Sequence, residues 1–233
     1  MTGARAASGV IAIRTATLCA ILWTPLLAGA DFSTYRGFQF GASLAASAKQ
    51  AGIQPSEATL VQKRPAAIQE LEWRPRTSYQ EDSQKADPVR EVLLRFYNGE
   101  LFQIVTTYDR EKVSGMTAAD MVEMISRTYG TATKPAAEVA YHSNYGEAAP
   151  VIARWENPEY SYNLVQTGDR TSFALVLNSK RLDALARAAM VEAARLDALE
   201  APQRAIDLQN KLDADDRLVL DQARSANLPN FRP

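Results

Sequence analysis

The chain reads as an α+β protein: an antiparallel sheet from two α-β-β-β repeats with helices on one face, plus a long C-terminal helix broken near Pro202. Three observations predict this class. Apolar runs of strand length are separated by Gly, Pro and Asn turn signals, the Asn98-Gly99 pair being the clearest hairpin. Two short amphipathic stretches open on Ser43 or Thr117 and close on Gly52 or Gly130, as capped helices do. From Ser179 onward the composition turns to Ala, Leu, Asp and Arg, the content of an exposed helix.

Arg5 and Arg14 flank or precede an uncharged run, Thr15 to Ala30, that ends in Ala28-Gly29-Ala30 before Asp31. Basic start, apolar middle and small-residue end are the order of a secretory signal peptide. A membrane-spanning helix needs roughly 20 apolar residues. This run is shorter and carries Pro25, so residues 1–30 read as an export signal rather than an anchor. Cys19 follows Leu18 and precedes further apolar residues, the wrong surroundings for a lipid-modified cysteine.

Removing that segment takes away the only cysteine, so the exported chain rests on its apolar core without disulfides. With 46% apolar residues spread throughout, such a core can be built. The 26 basic and 27 acidic residues nearly cancel and form no stripe. Nucleic acid is therefore excluded as a partner, because its phosphates must be neutralised.

Residues 31–178 are assigned to the α+β domain. Tyr35 to Phe40 alternates large apolar with polar or small residues, predicting a half-buried strand. Ser43 is placed to cap a helix from Leu44 to about Ala51, and Gly52 to stop it. Residues 53–65, bounded by Pro55 and Pro65, read as a loop or short turn. Ile68, Leu71 and Trp73 are the inward residues of a strand closed by Pro75, and the polar stretch 76–88 reads as a surface connection. The run Val89 to Asp109 is a β-hairpin about Asn98-Gly99.

Thr117 caps the second helix, with Asp120 in capping-box position and Met116 placed as a staple. Met121, Met124 and Ile125 give its apolar stripe. The runs at 150–158, 159–168 and 171–179 are three more strands. The order of helix, loop, Trp-bearing strand and hairpin thus occurs twice, over about 35–110 and 115–178, with Trp73 and Trp155 at matching points.

The pattern FGASL…AKQAG followed by three strands resembles the helix-plus-three-strand modules of SmpA/OmlA-type outer-membrane lipoproteins and, in tandem, of beta-lactamase inhibitor protein-like chains. The resemblance covers residues 35–178 in element order, with only the helix entry similar in residues. This chain departs from it in lacking a lipidation cysteine and cysteines for structural bridges. The resemblance implies a binding module of the cell envelope and assigns no interface residue.

In the C-terminal arm, 179–227, Asp183 with Arg187, Glu200 with Arg204, Asp207 with Lys211, and Asp213 with Arg217 each set an acid four residues before a base. Each such pair adds about 0.2–0.5 kcal/mol to an exposed helix. The apolar seam Leu182, Leu185, Ala189, Leu196, Leu199 and Ile206 runs near heptad spacing, as in a coiled coil, and fails after a few turns. The first half is expected to pack on the body. Pro202 lacks a backbone donor and should kink or break the helix. Beyond it, Leu208, Leu212, Val219 and Leu220 are free to meet a partner or to fold back. In the tail, 228–233, Leu228 and Phe231 suit either a peptide docked in a groove or a frayed end. The candidate partner-binding residues are Leu208, Leu212, Leu220, Leu228 and Phe231.

No catalytic, cofactor-binding or metal-ligating residue is assigned. His142 is the only histidine, and one imidazole without cysteine does not make the usual zinc site. No G-x-S-x-G stretch presents a serine, and no glycine run cradles phosphate. Asp213 to Arg217 resembles a calcium loop but lacks its sixth-position Gly and closing Glu. Trp73 and Trp155 read as core residues rather than sugar platforms.

The expectation is an exported, periplasmic or secreted protein that binds or scaffolds in the cell envelope without catalysis or cofactor. Its partner is an envelope protein or a second copy engaged through the C-terminal helix, with no stable membrane span after signal cleavage. An envelope hydrolase using a carboxylate pair is the alternative, and a passive structural subunit is a third reading.

Overall fold

The computed structural model describes residues 3, 30–75, 87–133, 140–142, 148–167, 172–230 and 232. Nearly all of the expected export signal, the connection 76–86 and Phe231 lie outside the described residues.

The strand expected over Tyr35 to Phe40 is instead a tiny hairpin, β1 (Thr34–Tyr35) with β2 (Phe38–Gln39). Arg36 and Gly37 between them both take positive φ, 51° and 83°, the two-residue turn whose twist suits a hairpin. An arginine is costly there, and its side chain is held from outside: Asp87 accepts from Nη1 at 2.5 Å and Nη2 at 2.8 Å. Period-two alternation survives such a turn, which is why the sequence pattern does not reveal it.

Helix α1 (Leu44–Ala51) has the expected caps. The Ser43 hydroxyl accepts from the Ala46 N–H at 3.2 Å, and Gly52 closes the helix in the left-handed conformation. After a 3-10 turn at Pro55–Glu57 comes β3 (Thr59–Gln62), where a loop was expected. Its first three residues are exposed, so no buried face imprints a pattern on it. Strands β4 (Ile68–Trp73), β5 (Val89–Tyr97) and β6 (Glu100–Tyr108) follow. Asn98 and Gly99 make the tight turn, with φ of 48° and 85°.

Helix α2 (Ala118–Tyr129) carries the reciprocal Thr117–Asp120 capping box. Of its expected stripe, Met121 is buried and Ile125 packs on the core, while Met124 is exposed. Strands β7 (Ala140–His142), β8 (Ala148–Glu156), β9 (Tyr160–Thr167) and β10 (Ser172–Ser179) complete the sheet. The His142 backbone therefore belongs to a short strand rather than to the loop expected there.

All neighbours in the sheet are antiparallel, in the order β3-β4-β5-β6-β10-β9-β8, with β7 extending the outer edge. Each of α1 and α2 precedes four strands, not the three expected. The last strands of the two sets, β6 and β10, meet at the centre.

One face carries Leu71, Leu94, Ile104, Leu164, Leu175 and Leu177, and Ala48 of α1 and Met121 of α2 pack in that same cluster. Trp155 fixes α2 to β8 by donating from Nε1 to the Ser126 hydroxyl at 3.1 Å and to the Gly130 carbonyl at 3.0 Å. Tyr162 donates to the carbonyls of Phe32 and Thr34, at 3.2 and 3.1 Å, so the entering chain is tied to β9.

The other face holds a smaller cluster in which Leu182 and Ala186 pack on Ile68 and Phe102. These two residues start α3 (Lys180–Asn227), a single helix of 48 residues. It runs through Pro202 without the expected break. Pro202 lies in the exposed part of the helix, where the Ala198 carbonyl that loses its donor can face water.

Candidate functional site

Among the described residues, a polar cleft on the α3 side of the sheet and the free half of α3 both present chemistry.

The cleft follows from register. Strands β4, β5, β6, β10, β9 and β8 place Glu70, Arg95, Gln103, Asn178, Ser161 and Glu156 opposite one another in turn. Side chains two residues apart share a face, so this polar belt crosses the side opposite the α1–α2 core. Glu70 holds Arg95 at 2.9 Å, at ion-pair distance but without the geometry of a hydrogen bond from Nε. Arg95 donates from Nη1 to Gln103 Oε1 at 3.0 Å, and Gln103 donates from Nε2 to Asn178 Oδ1 at 2.8 Å. Gln103 and Asn178 are both 5% exposed, so this relay is an interior one.

A second row pairs Arg154, Asn163 and Val176. Asn163 Oδ1 accepts from Arg154 Nε at 2.7 Å, and Asn163 Nδ2 donates to the Val176 carbonyl at 3.3 Å. The start of α3 forms the remaining wall, with Lys180 bound to Glu156 at 2.7 Å and Arg187 bound to Asp183 at 2.8 Å. The space enclosed is about 220 Å³. Its two carboxylates each hold a base, so neither stands free as a catalytic pair would require.

These residues were missed at the level of sequence. The available signal was one of position: Gln103, Asn163 and Asn178 are amides set within strands that are otherwise mostly apolar. Only strand pairing brings them together.

On α3, Leu182, Ala186 and Ala189 are buried, whereas Leu185, Leu199 and Ile206 of the expected seam are exposed. Every residue from Ala201 to Asn230 is exposed. Leu208, Leu212, Leu220 and Leu228 project from this segment at 60%, 50%, 68% and 68% exposure. They lie along a helix rather than gathering in a pocket. No helix among the described residues is long and apolar enough to cross a membrane, and no group of three or more potential metal ligands occurs among them.

No family model matches the chain, and no curated protein matches it. Among solved structures, it is similar to a cysteine-rich secretory protein from Staphylococcus aureus, at 6% identity and a TM-score of 0.28. The alignment covers 61% of this chain and 44% of that one, so less than half of the relative's length is spanned. A likeness at this level carries no argument about either fold or activity.

Proposed function

We propose that the chain is an exported, non-catalytic binding or scaffold protein of the cell envelope that engages a partner protein through the outer half of α3. The observation that carries this reading is the exposure of every residue from Ala201 to Asn230, leucines included. A helix without support along this half, with Leu208, Leu212 and Leu220 in solvent, gains stability when a face is covered. The export signal read over residues 1–30 gives the compartment. The order of α1 and four strands, then α2 and four strands, with Trp73 and Trp155 each in the second strand of its set, supports reading the body as two related units.

The test is a photo-crosslinking residue placed at Leu212 of the full chain, produced in cells and followed by mass spectrometry. A mature N-terminus near Asp31 and one discrete adduct with an envelope protein, lost on deleting residues 203–233, are expected. An unprocessed start methionine on cytosolic material, or a smear of unrelated adducts, overturns the reading. The carboxylate hydrolase has one observation in its favour, Glu156 and Asp183 lining one cleft. Their engagement with Lys180 and Arg187 places it second.

A further inference from the structure

We infer that the cleft between the sheet and the start of α3 is a binding site for a small oxyanion, a carboxylate or a phosphate. The argument rests on the direction of its hydrogen bonds. Arg95 has only donors, so the Gln103 amide must turn its oxygen toward Arg95 and its nitrogen toward Asn178. Asn178 must then turn its oxygen to Gln103. Its Nδ2 is left over, and it lines the cleft with no acceptor among the described residues. The residue is only 5% exposed, and this nitrogen is not among the sealed, unpartnered atoms of the described residues, so it is open to the cleft, where a ligand oxygen can accept from it.

Arg154 makes the same demand. Asn163 fixes its Nε at 2.7 Å, while its two terminal nitrogens have no partner among the described residues. Arg187 likewise reaches Asp183 through Nε and lines the rim of the same cleft, with most of its side chain exposed. Lys180 with Glu156 and Arg187 with Asp183 cancel in charge, so Arg154 is the unmatched cation among the lining residues. A planar guanidinium held at Nε presents its outer edge as a ready fork for two oxygens. Helix α3 starts beside this cleft; Ser179 makes no side-chain cap, although Asp183 in the first turn and the Glu159 carbonyl, which accepts from the Lys180 N–H, already answer part of its positive end. Donors converge on about 220 Å³, room for a small ligand or the acidic end of a larger one.

The probes are inorganic phosphate and succinate, each titrated into the full chain at low ionic strength, with sodium chloride as the matched control. The readout is the NMR signals of the Asn178 side-chain amide and the Arg154 and Arg187 Nε groups. Saturable shifts confined to the cleft are expected for at least one probe, and whichever saturates identifies carboxylate or phosphate as the preferred class. Arg154→Gln should weaken binding at least tenfold. Because Arg154 also supports Asn163, Arg187→Gln on the exposed helix surface gives a second variant that leaves the sheet intact, with a several-fold loss expected. Shifts equal to those from chloride, or affinity unchanged in both variants, overturn the inference.

Discussion

Arg64, in the loop between β3 and β4, donates from both terminal nitrogens to the two carboxylate oxygens of Glu200, 136 residues further along the chain. Asp197 adds a longer contact at 3.6 Å. Glu200 was expected to pair with Arg204 along the helix. Arg204 turns back to Asp197 instead, at 3.3 Å, and Glu200 tethers the arm to the body. The tether sits at the last residue before the wholly exposed segment begins.

Arg64→Ala should therefore loosen α3 locally while leaving global stability almost unchanged, since exposed ion pairs contribute little to folding. Amide hydrogen exchange checks this. Amides from about 190 to 200 should exchange faster than in the parent, with those of β5 and β6 unaltered. Unchanged exchange would mean that the burial of Leu182, Ala186 and Ala189, with the contacts of Lys180 to Glu156 and of Gln62 to the Ala189 carbonyl, holds the helix down without the tether.

Pro202 offers a second test of the arm. The helix continues past it, but the Ala198 carbonyl is denied its usual donor, and an interior proline costs about 3 kcal/mol relative to alanine. Pro202→Ala should raise the helical signal in far-UV circular dichroism and slow exchange on both sides of residue 202. Local stabilisation of up to about 3 kcal/mol is expected, with little change in the melting of the body.

What was legible in the sequence was what local chemistry alone decides. Ser43 and Gly52 bound α1, Thr117 with Asp120 opens α2, and Asn98-Gly99 closes the central hairpin. Each is a short-range hydrogen bond or a steric preference, so neighbours along the chain suffice to show it. The misses have a common origin in tertiary contacts. Arg36 adopts a turn conformation because Asp87 is there to hold it. Strand β3 exists as an edge partner for β4, although its own side chains bury little. The polar cleft draws its lining from four strands in register, β6, β10, β9 and β8, and from α3, and no window of sequence contains it. Among the candidate residues on the arm, the structure places Leu208, Leu212, Leu220 and Leu228 in solvent along one element, with Phe231 outside the described residues.

Trp155 is a residue whose ring and whose N–H do separable jobs. It is 1% exposed, and its Nε1 serves both the Ser126 hydroxyl and the Gly130 carbonyl at the end of α2. Trp155→Phe keeps much of the apolar bulk and removes the donor. A loss of roughly 1–3 kcal/mol is expected, read as a lower urea midpoint with an unchanged slope. Faster exchange should be confined to the last turn of α2.

Asp87 supplies the pH dependence. Burial acts to raise its carboxyl, but bonds from the Arg36 guanidinium and the Val89 N–H outweigh this and hold it below the ordinary carboxylate value. A group depressed in the folded state contributes stability that is complete above its unfolded value, about 4 for an aspartate, and that disappears as pH falls through the folded value. Asp87→Asn should thus be less stable than the parent at neutral pH and should lose less on acidification, so that the two urea midpoints converge as pH falls below the ordinary carboxylate range. Arg36 would lose the counter-charge that holds it in its positive-φ conformation, so the variant should also loosen the β1–β2 hairpin, seen as faster exchange at Gly37 and Phe38. Parallel curves at all pH values would show that the carboxylate's charge contributes nothing and that packing alone holds the turn.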